Sequence, residues 1–115
     1  MSQNRNETIK RERVGTIAVD RHLDRIEAYI VTVPPNASTG FHLHSGGTIG
    51  YIIEGEASFA LEGHAPVTLQ CGDGFVEPAG LRIAHFDNVS ASEPLTFFCA
   101  YPLSGDETLI TMLDP

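Results

Sequence analysis

The stretch "GFHLHSGGTIGYIIEG", residues 40–55, places two histidines one residue apart, ahead of a small glycine turn and an apolar run. In a β-strand, side chains at positions i and i+2 point to the same face, so His42 and His44 are expected to project together. A neutral imidazole nitrogen is a common ligand of divalent transition metals. The pair is therefore either the start of a metal site, which needs at least a third ligand, or two polar residues of an ordinary strand.

The rest of the chain predicts β-structure. From residue 25 onward, short β-rich runs such as "RIEAYIVTV", "ASFALEG" and "LTFFCAYP" are separated by turn residues. Turns that recur about every 8 to 12 residues are typical of all-β sandwiches and barrels. A length of 115 residues corresponds to one domain. We expect residues 1–12 to be a mobile arm and residues 13–115 to form a single domain.

Composition excludes several kinds of partner. The formal net charge is −8, whereas nucleic acids and anionic membrane surfaces are bound through clustered Lys and Arg. No window approaches the length of a membrane span, and the polar N-terminus does not resemble a signal peptide. The two cysteines, Cys71 and Cys99, are typical of reduced thiols. We therefore expect a cytoplasmic protein that binds neither nucleic acid nor membrane.

Two segments carry a family resemblance. The quoted stretch resembles the first conserved motif of the cupin family, with His42, His44 and Gly55 at its two histidines and its final glycine. The segment "GDGFVEPAGLRIAHFDN", residues 72–88, resembles the second motif and reaches Asn88 with one extra residue. The resemblance covers about residues 27 to 101. It implies an all-β, cupin-type double-stranded β-helix, a single jelly-roll barrel.

The sequence departs from the cupin motifs at two ligand positions. Thr48 stands where the first motif has Glu, and Ile83 stands where the second has His. His85, two residues after Ile83, shares its face in a regular strand and can replace the missing ligand. Alternatively, His85 lies about 6 to 7 Å too far along the strand, or a β-bulge re-aims it.

Two kinds of site remain open. In the first, His42, His44 and His85 hold one divalent transition metal (Zn, Ni, Fe or Cu), with Thr48 nearby as a weak ligand or a neighbouring hydroxyl. Ile83 and Glu77 are further candidates for the pocket lining, Glu77 as a pocket carboxylate. In the second, the same residues line a pocket that binds no metal.

The resemblance implies two classes of function. A metal-dependent cupin would act on a small organic substrate, acidic or chelating, as a dioxygenase, isomerase or lyase. The departures at Thr48 and Ile83 favour the alternative, a non-catalytic, small-molecule-binding cupin, and a third possibility is a barrel that serves mainly for assembly. The resemblance also implies a homodimer, formed by sheet pairing or by exchange of an N-terminal strand, for which residues 13–19, "RVGTIAV", are apolar enough.

Overall fold

The computed structural model describes residues 8–114, which are built almost entirely from short β-strands. The strands are β1 (Arg25–Val33), β2 (His42–Leu43), β3 (Thr48–Glu54), β4 (Glu56–Leu61), β5 (Val67–Gln70), β6 (Gly74–Glu77), β7 (Ile83–Asn88), β8 (Leu95–Leu103) and β9 (Thr111–Met112). Most of the arm predicted for residues 1–12 lies outside the described residues. No helix in the described part of the chain is long and apolar enough to cross a membrane.

The strands form two antiparallel sheets. One has four strands in the order β1-β8-β3-β6, and the other has five in the order β5-β4-β7-β2-β9. The chain passes repeatedly from one sheet to the other, so residues far apart in sequence face a common interior. The predicted all-β jelly-roll barrel is confirmed. Residues on the inner faces of both sheets can contribute to one site.

The core between the sheets is aromatic. Phe75 of β6, Phe86 of β7 and Phe97 of β8 contact one another with ring centroids 4.8 to 5.7 Å apart. Gly50 of β3 makes room for this cluster, because a Cβ there would lie 2.2 Å from the Phe75 ring. Apolar side chains that alternate along each strand thus point inward and fill the barrel on one side of the candidate site.

The N-terminal segment follows the outside of the four-stranded sheet. Residues 13–19, predicted to form an exchanged strand, are not in a strand in this chain. The carbonyl of Val14 packs so closely against Gly74 that a Cβ at Gly74 would lie 1.7 Å from its oxygen. Further along, Arg21 forms a two-pronged ion pair with Glu107, at 2.7 and 2.8 Å. This pair ties the segment to the turn that precedes β9.

Candidate metal centre

The two histidines of the quoted stretch lie side by side in the barrel interior. His42 begins β2, and it pairs with Ile83 of β7 on one side and with Met112 of β9 on the other. His42 and His44 are 3% and 5% exposed, and their ring centroids are 4.9 Å apart. The structure therefore brings this pair together on one face, buried from solvent.

Backbone carbonyls hold both imidazole rings. Nδ1 of His42 lies 2.7 Å from the carbonyl oxygen of Gly40, and Nδ1 of His44 lies 2.5 Å from that of Leu109. Gly40 has φ +84°, a left-handed conformation that favours glycine. A carbonyl only accepts, so each Nδ1 carries a proton, and each neutral ring presents a lone pair at Nε2.

The third group of the cluster is the Glu77 carboxylate, which is 3% exposed at the end of β6. Its Oε1 lies 2.9 Å from Nε2 of His44 and 3.6 Å from Nε2 of His42. One ligand atom from each of the three residues lies within 4.8 Å of the others. Two imidazole nitrogens and a carboxylate oxygen form a donor set typical of Zn²⁺ and its neighbours, which bind such atoms at about 2.0 to 2.2 Å.

The unsatisfied atoms of the cluster fit a bound cation. Glu77 Oε1 is buried and makes no hydrogen bond of good geometry, although both Nε2 atoms face it. Burial pushes the pKa of Glu77 up, but the two imidazoles outweigh it and lower the pKa below 4.5. Burial pushes the pKa of His42 down, but Glu77 and Gly40 outweigh it and raise the pKa above 6.5. A divalent ion would satisfy the two lone pairs and the carboxylate together.

The structure does not bring His85 to the pair. Its side chain is 54% exposed on the outer wall, and its Nδ1 lies 3.1 Å from Asp87. The cause is a bulge in β7: Ala60 of β4 pairs with His85 but Leu61 pairs with Ile83, which leaves Ala84 as an extra residue. The bulge reverses the alternation, so Ile83 and Phe86 point inward while His85 points out. The expectation that His85 joins the pair is therefore wrong, and the group that could hold a metal is His42, His44 and Glu77.

Ile83 and Thr48, which stand at the two positions where the sequence departs from the cupin motifs, make contacts other than metal ligation. Ile83 is fully buried and packs in the core directly beside His42. Thr48 is 2% exposed and donates its hydroxyl to the carbonyl of Ala100 at 2.8 Å. Thr48 is also the cross-strand partner of Glu77. The carboxylate missing at position 48 is thus supplied from the neighbouring strand.

A cavity of about 110 Å³ adjoins the cluster. Sequence reasoning did not pick out three polar residues that line it, Thr39, Cys99 and Tyr101. The Cys99 sulfur lies 3.0 Å from the Tyr101 hydroxyl, and burial raises the pKa of both groups, so both stay protonated at neutral pH. Alternation within "LTFFCAY" could have placed Cys99 and Tyr101 on one face, but it could not indicate that the face lines a cavity. The remaining wall is apolar, formed by Val31, Phe75, Phe86, Phe97 and Ile110.

The chain is thus a two-sheet barrel protein with a candidate metal centre inside the barrel. The centre consists of a buried His-His-carboxylate cluster beside a small cavity. The chain belongs to the cupin family, because the model of the cupin domain matches residues 29–101.

The chain is similar in part to a protein with a stated activity. Over 57 residues the chain is 40% identical to dimethylsulfoniopropionate lyase DddQ of Ruegeria pomeroyi, covering 50% of this chain and 28% of the lyase. The crystal structure of DddQ aligns with a TM-score of 0.64 and 30% identity, over 77% of this chain and 43% of that chain. The chain therefore spans less than half the length of the lyase.

Two further solved structures support the fold alone. A cupin-like protein from Thermotoga maritima aligns with a TM-score of 0.64 at 23% identity, over 76% of this chain and 64% of that one. An RmlC-like cupin from Methanocaldococcus jannaschii aligns with a TM-score of 0.63 at 21% identity, over 83% and 86% of the two chains.

Proposed function

We propose that this protein is a metal-dependent cupin in which His42, His44 and Glu77 hold one divalent transition metal beside a cavity that takes a small organic molecule. The observation that carries the proposal is the convergence of three buried ligand atoms within 4.8 Å. One of them, Glu77 Oε1, has no other partner. Three protein ligands leave coordination positions open for a substrate, as in catalytic sites.

Each part of the site has a separate task in this proposal. A bound metal would act as a Lewis acid toward an oxygen of the substrate. The carbonyls of Gly40 and Leu109 keep the Nε2 atoms of His42 and His44 available as ligands. The Tyr101 hydroxyl, kept protonated by burial, can donate a hydrogen bond to a substrate oxygen. The phenylalanine side chains give the cavity an apolar wall for the hydrocarbon part of the substrate.

The likeness to DddQ supports a lyase reaction, and dimethylsulfoniopropionate is the first substrate to test. In an elimination from this molecule a base takes a proton from C2, the C3–S bond breaks, and dimethyl sulfide leaves with the electron pair of that bond, which yields acrylate. The cavity of about 110 Å³ suits a substrate of this small size. If the protein turned over other small carboxylates and released no dimethyl sulfide, the proposed metal centre would stand and the proposed substrate would be replaced.

Metal content of matched variants tests the centre. Purified protein reconstituted in turn with Zn²⁺, Ni²⁺, Fe²⁺ and Cu²⁺ is expected to retain about one equivalent of metal, and His44→Ala or Glu77→Gln to lose it. His85→Ala is the control, because His85 is a histidine of the same barrel on its outer wall. Retention by His44→Ala together with loss by His85→Ala would refute the assigned ligand set.

Activity is then measured on the reconstituted protein as release of dimethyl sulfide, with Glu77→Gln as the inactive comparison. Stoichiometric metal without turnover of any small carboxylate would favour the alternative, a non-catalytic small-molecule-binding cupin. A protein that takes up none of the four ions would refute the metal centre itself.

A further inference from the structure

The cavity contains a second unpartnered polar atom, the hydroxyl oxygen of Thr39. Among the described residues, only Thr39 Oγ1 and Glu77 Oε1 are buried side-chain nitrogen or oxygen atoms without a hydrogen bond. Both residues line the same cavity. A buried hydroxyl without a partner costs free energy, so a native structure that retains one gives reason to look for a missing partner.

The surroundings of Thr39 do not account for its hydroxyl. Its backbone N–H donates to the carbonyl of Phe86 at 3.2 Å, which fixes the residue without the side chain. The preceding hydroxyl, that of Ser38, is fully used: it accepts from the N–H of Gly40 and donates to Asp87. Two adjacent hydroxyls thus differ: that of Ser38 serves the loop, whereas that of Thr39, a residue that lines the cavity, is buried and unbonded.

The charge of the loaded site indicates what the partner is. Within residues 8–114, Glu77 is the one carboxylate that lines the cavity, and no Lys or Arg lines it. With two neutral histidines, the double positive charge of the metal and the single negative charge of Glu77 leave one positive charge. In a buried site this favours a ligand that brings one carboxylate group to the metal over a ligand that brings none or two.

We propose that Thr39 is a ligand-binding residue of this cavity, and that its hydroxyl hydrogen-bonds to a small monocarboxylate. The class of ligand rests on the proposed metal centre, whereas the Thr39 contact rests on its own unpartnered hydroxyl. The apolar wall formed by Phe97 and Ile110 accommodates the short hydrocarbon part of such a ligand. The cavity volume of about 110 Å³ limits that part to a few carbon atoms.

Two matched variants test the contact. Thr39→Val keeps the shape and removes the hydroxyl, whereas Thr39→Ser keeps the hydroxyl. Propionate is titrated calorimetrically into the zinc-loaded wild type and both variants. We expect Thr39→Val to bind propionate at least about tenfold more weakly, since a hydrogen bond to a charged group is lost, and Thr39→Ser to stay within about twofold of wild type.

Stability and metal content separate ligand binding from a structural role. Thr39→Val should keep its zinc and unfold at the same temperature as wild type or higher, because a buried unpartnered hydroxyl has been removed. Equal propionate affinity in wild type and Thr39→Val would overturn the contact. A lower unfolding temperature in Thr39→Val, with propionate affinity restored by saturating zinc, would assign the hydroxyl to the fold instead.

The ligand class is tested with propionamide, which matches propionate in size but carries no charge, and with malonate, which has the same three carbons but two carboxylates. Propionate should bind at least about tenfold more tightly than either, and equal binding of propionamide, or no binding of propionate, would overturn the monocarboxylate assignment. If the wild type takes up no metal, the proposed function and the ligand class fail together. The same propionate titration of metal-free Thr39→Val and Thr39→Ser then supports the Thr39 contact if they differ and overturns it if they do not.

Discussion

Asn88, at the end of β7, is the buried polar residue whose removal should most damage the fold. It is 4% exposed, and its amide nitrogen donates to the carbonyls of Val33, Pro34 and Glu93 at 3.1, 3.1 and 2.8 Å. Its side-chain oxygen accepts from the N–H of Ser90 at 2.9 Å. The residue thus joins the end of β1 to the turn between β7 and β8, closing one end of the barrel.

Asn88→Ala removes the bond accepted by the side-chain oxygen and three contacts shared by the two amide N–H groups, where a hydrogen bond is worth about 1 kcal/mol net and a buried carbonyl left without a partner costs about 1 kcal/mol or more. We expect the free energy of unfolding to fall by about 3 to 4 kcal/mol, a large share of the roughly 5 to 15 kcal/mol that stabilises a domain. Asn88→Asp should cost at least as much, because a carboxylate oxygen would then face three carbonyl oxygens.

The measurement is urea unfolding followed by far-ultraviolet circular dichroism, because the chain has no tryptophan to report by fluorescence. Ser90→Ala is the matched control in the same turn: its hydroxyl accepts only from the exposed N–H groups of Ser92 and Glu93, which water can satisfy. We expect that control to cost less than about 1 kcal/mol. If Asn88→Ala cost no more than Ser90→Ala, the reasoning from buried hydrogen bonds would be refuted.

Three further predictions concern the site and the surface. The raised pKa of His42 means that the metal must displace a proton, so zinc affinity, measured by chelator competition, should fall as pH drops from 8 to 6, with Glu77 remaining ionised; an affinity independent of pH in this range would contradict it. Ending the chain at residue 108 removes β9 and the carbonyl of Leu109 that holds His44, and it should weaken zinc binding by roughly 10 to 100-fold; unchanged binding would show that the carbonyl is dispensable. The homodimer stays a prediction: Ile26 and Ile30 on the outer face of β1 are 66% and 63% exposed, so Ile30→Asp should convert a dimer to a monomer by light scattering, and a monomeric wild type would contradict it.

Local patterns were sufficient to predict the barrel and the histidine pair. Turn residues between short apolar runs are local signals, and the two motif-like segments carried the family resemblance that implied the jelly-roll barrel. The position of His85 depends instead on the bulge at Ala84, which reverses the side-chain alternation within a single strand. The one extra residue before Asn88 was the visible trace of this bulge, but it did not indicate on which side of His85 the bulge would fall.

The partners of the histidine pair could not be predicted from local sequence patterns, because they lie far from the pair in the sequence. The carbonyl that fixes His44 belongs to Leu109, 65 residues further along the chain. Glu77 joins the histidines because β6 pairs with β3, and Cys99 and Tyr101 join the cavity because β8 lies on the other side of β3. Such neighbours follow from strand order and register, which a sequence pattern does not specify residue by residue.

The two departures from the cupin motifs are explained together by the strand pairing. Thr48 stands opposite Glu77, so the loss of a carboxylate at one position is offset by a carboxylate on the adjacent strand that reaches the same histidines. Ile83 stands opposite His42 and contributes an apolar core side chain where the motif has a ligand. The result is a set of two histidines and one carboxylate with the cavity beside it. The buried Glu77 carboxylate, whose Oε1 lies 2.9 Å from Nε2 of His44, is the feature that marks this cluster as a candidate site, because a buried charge is costly unless a partner binds it.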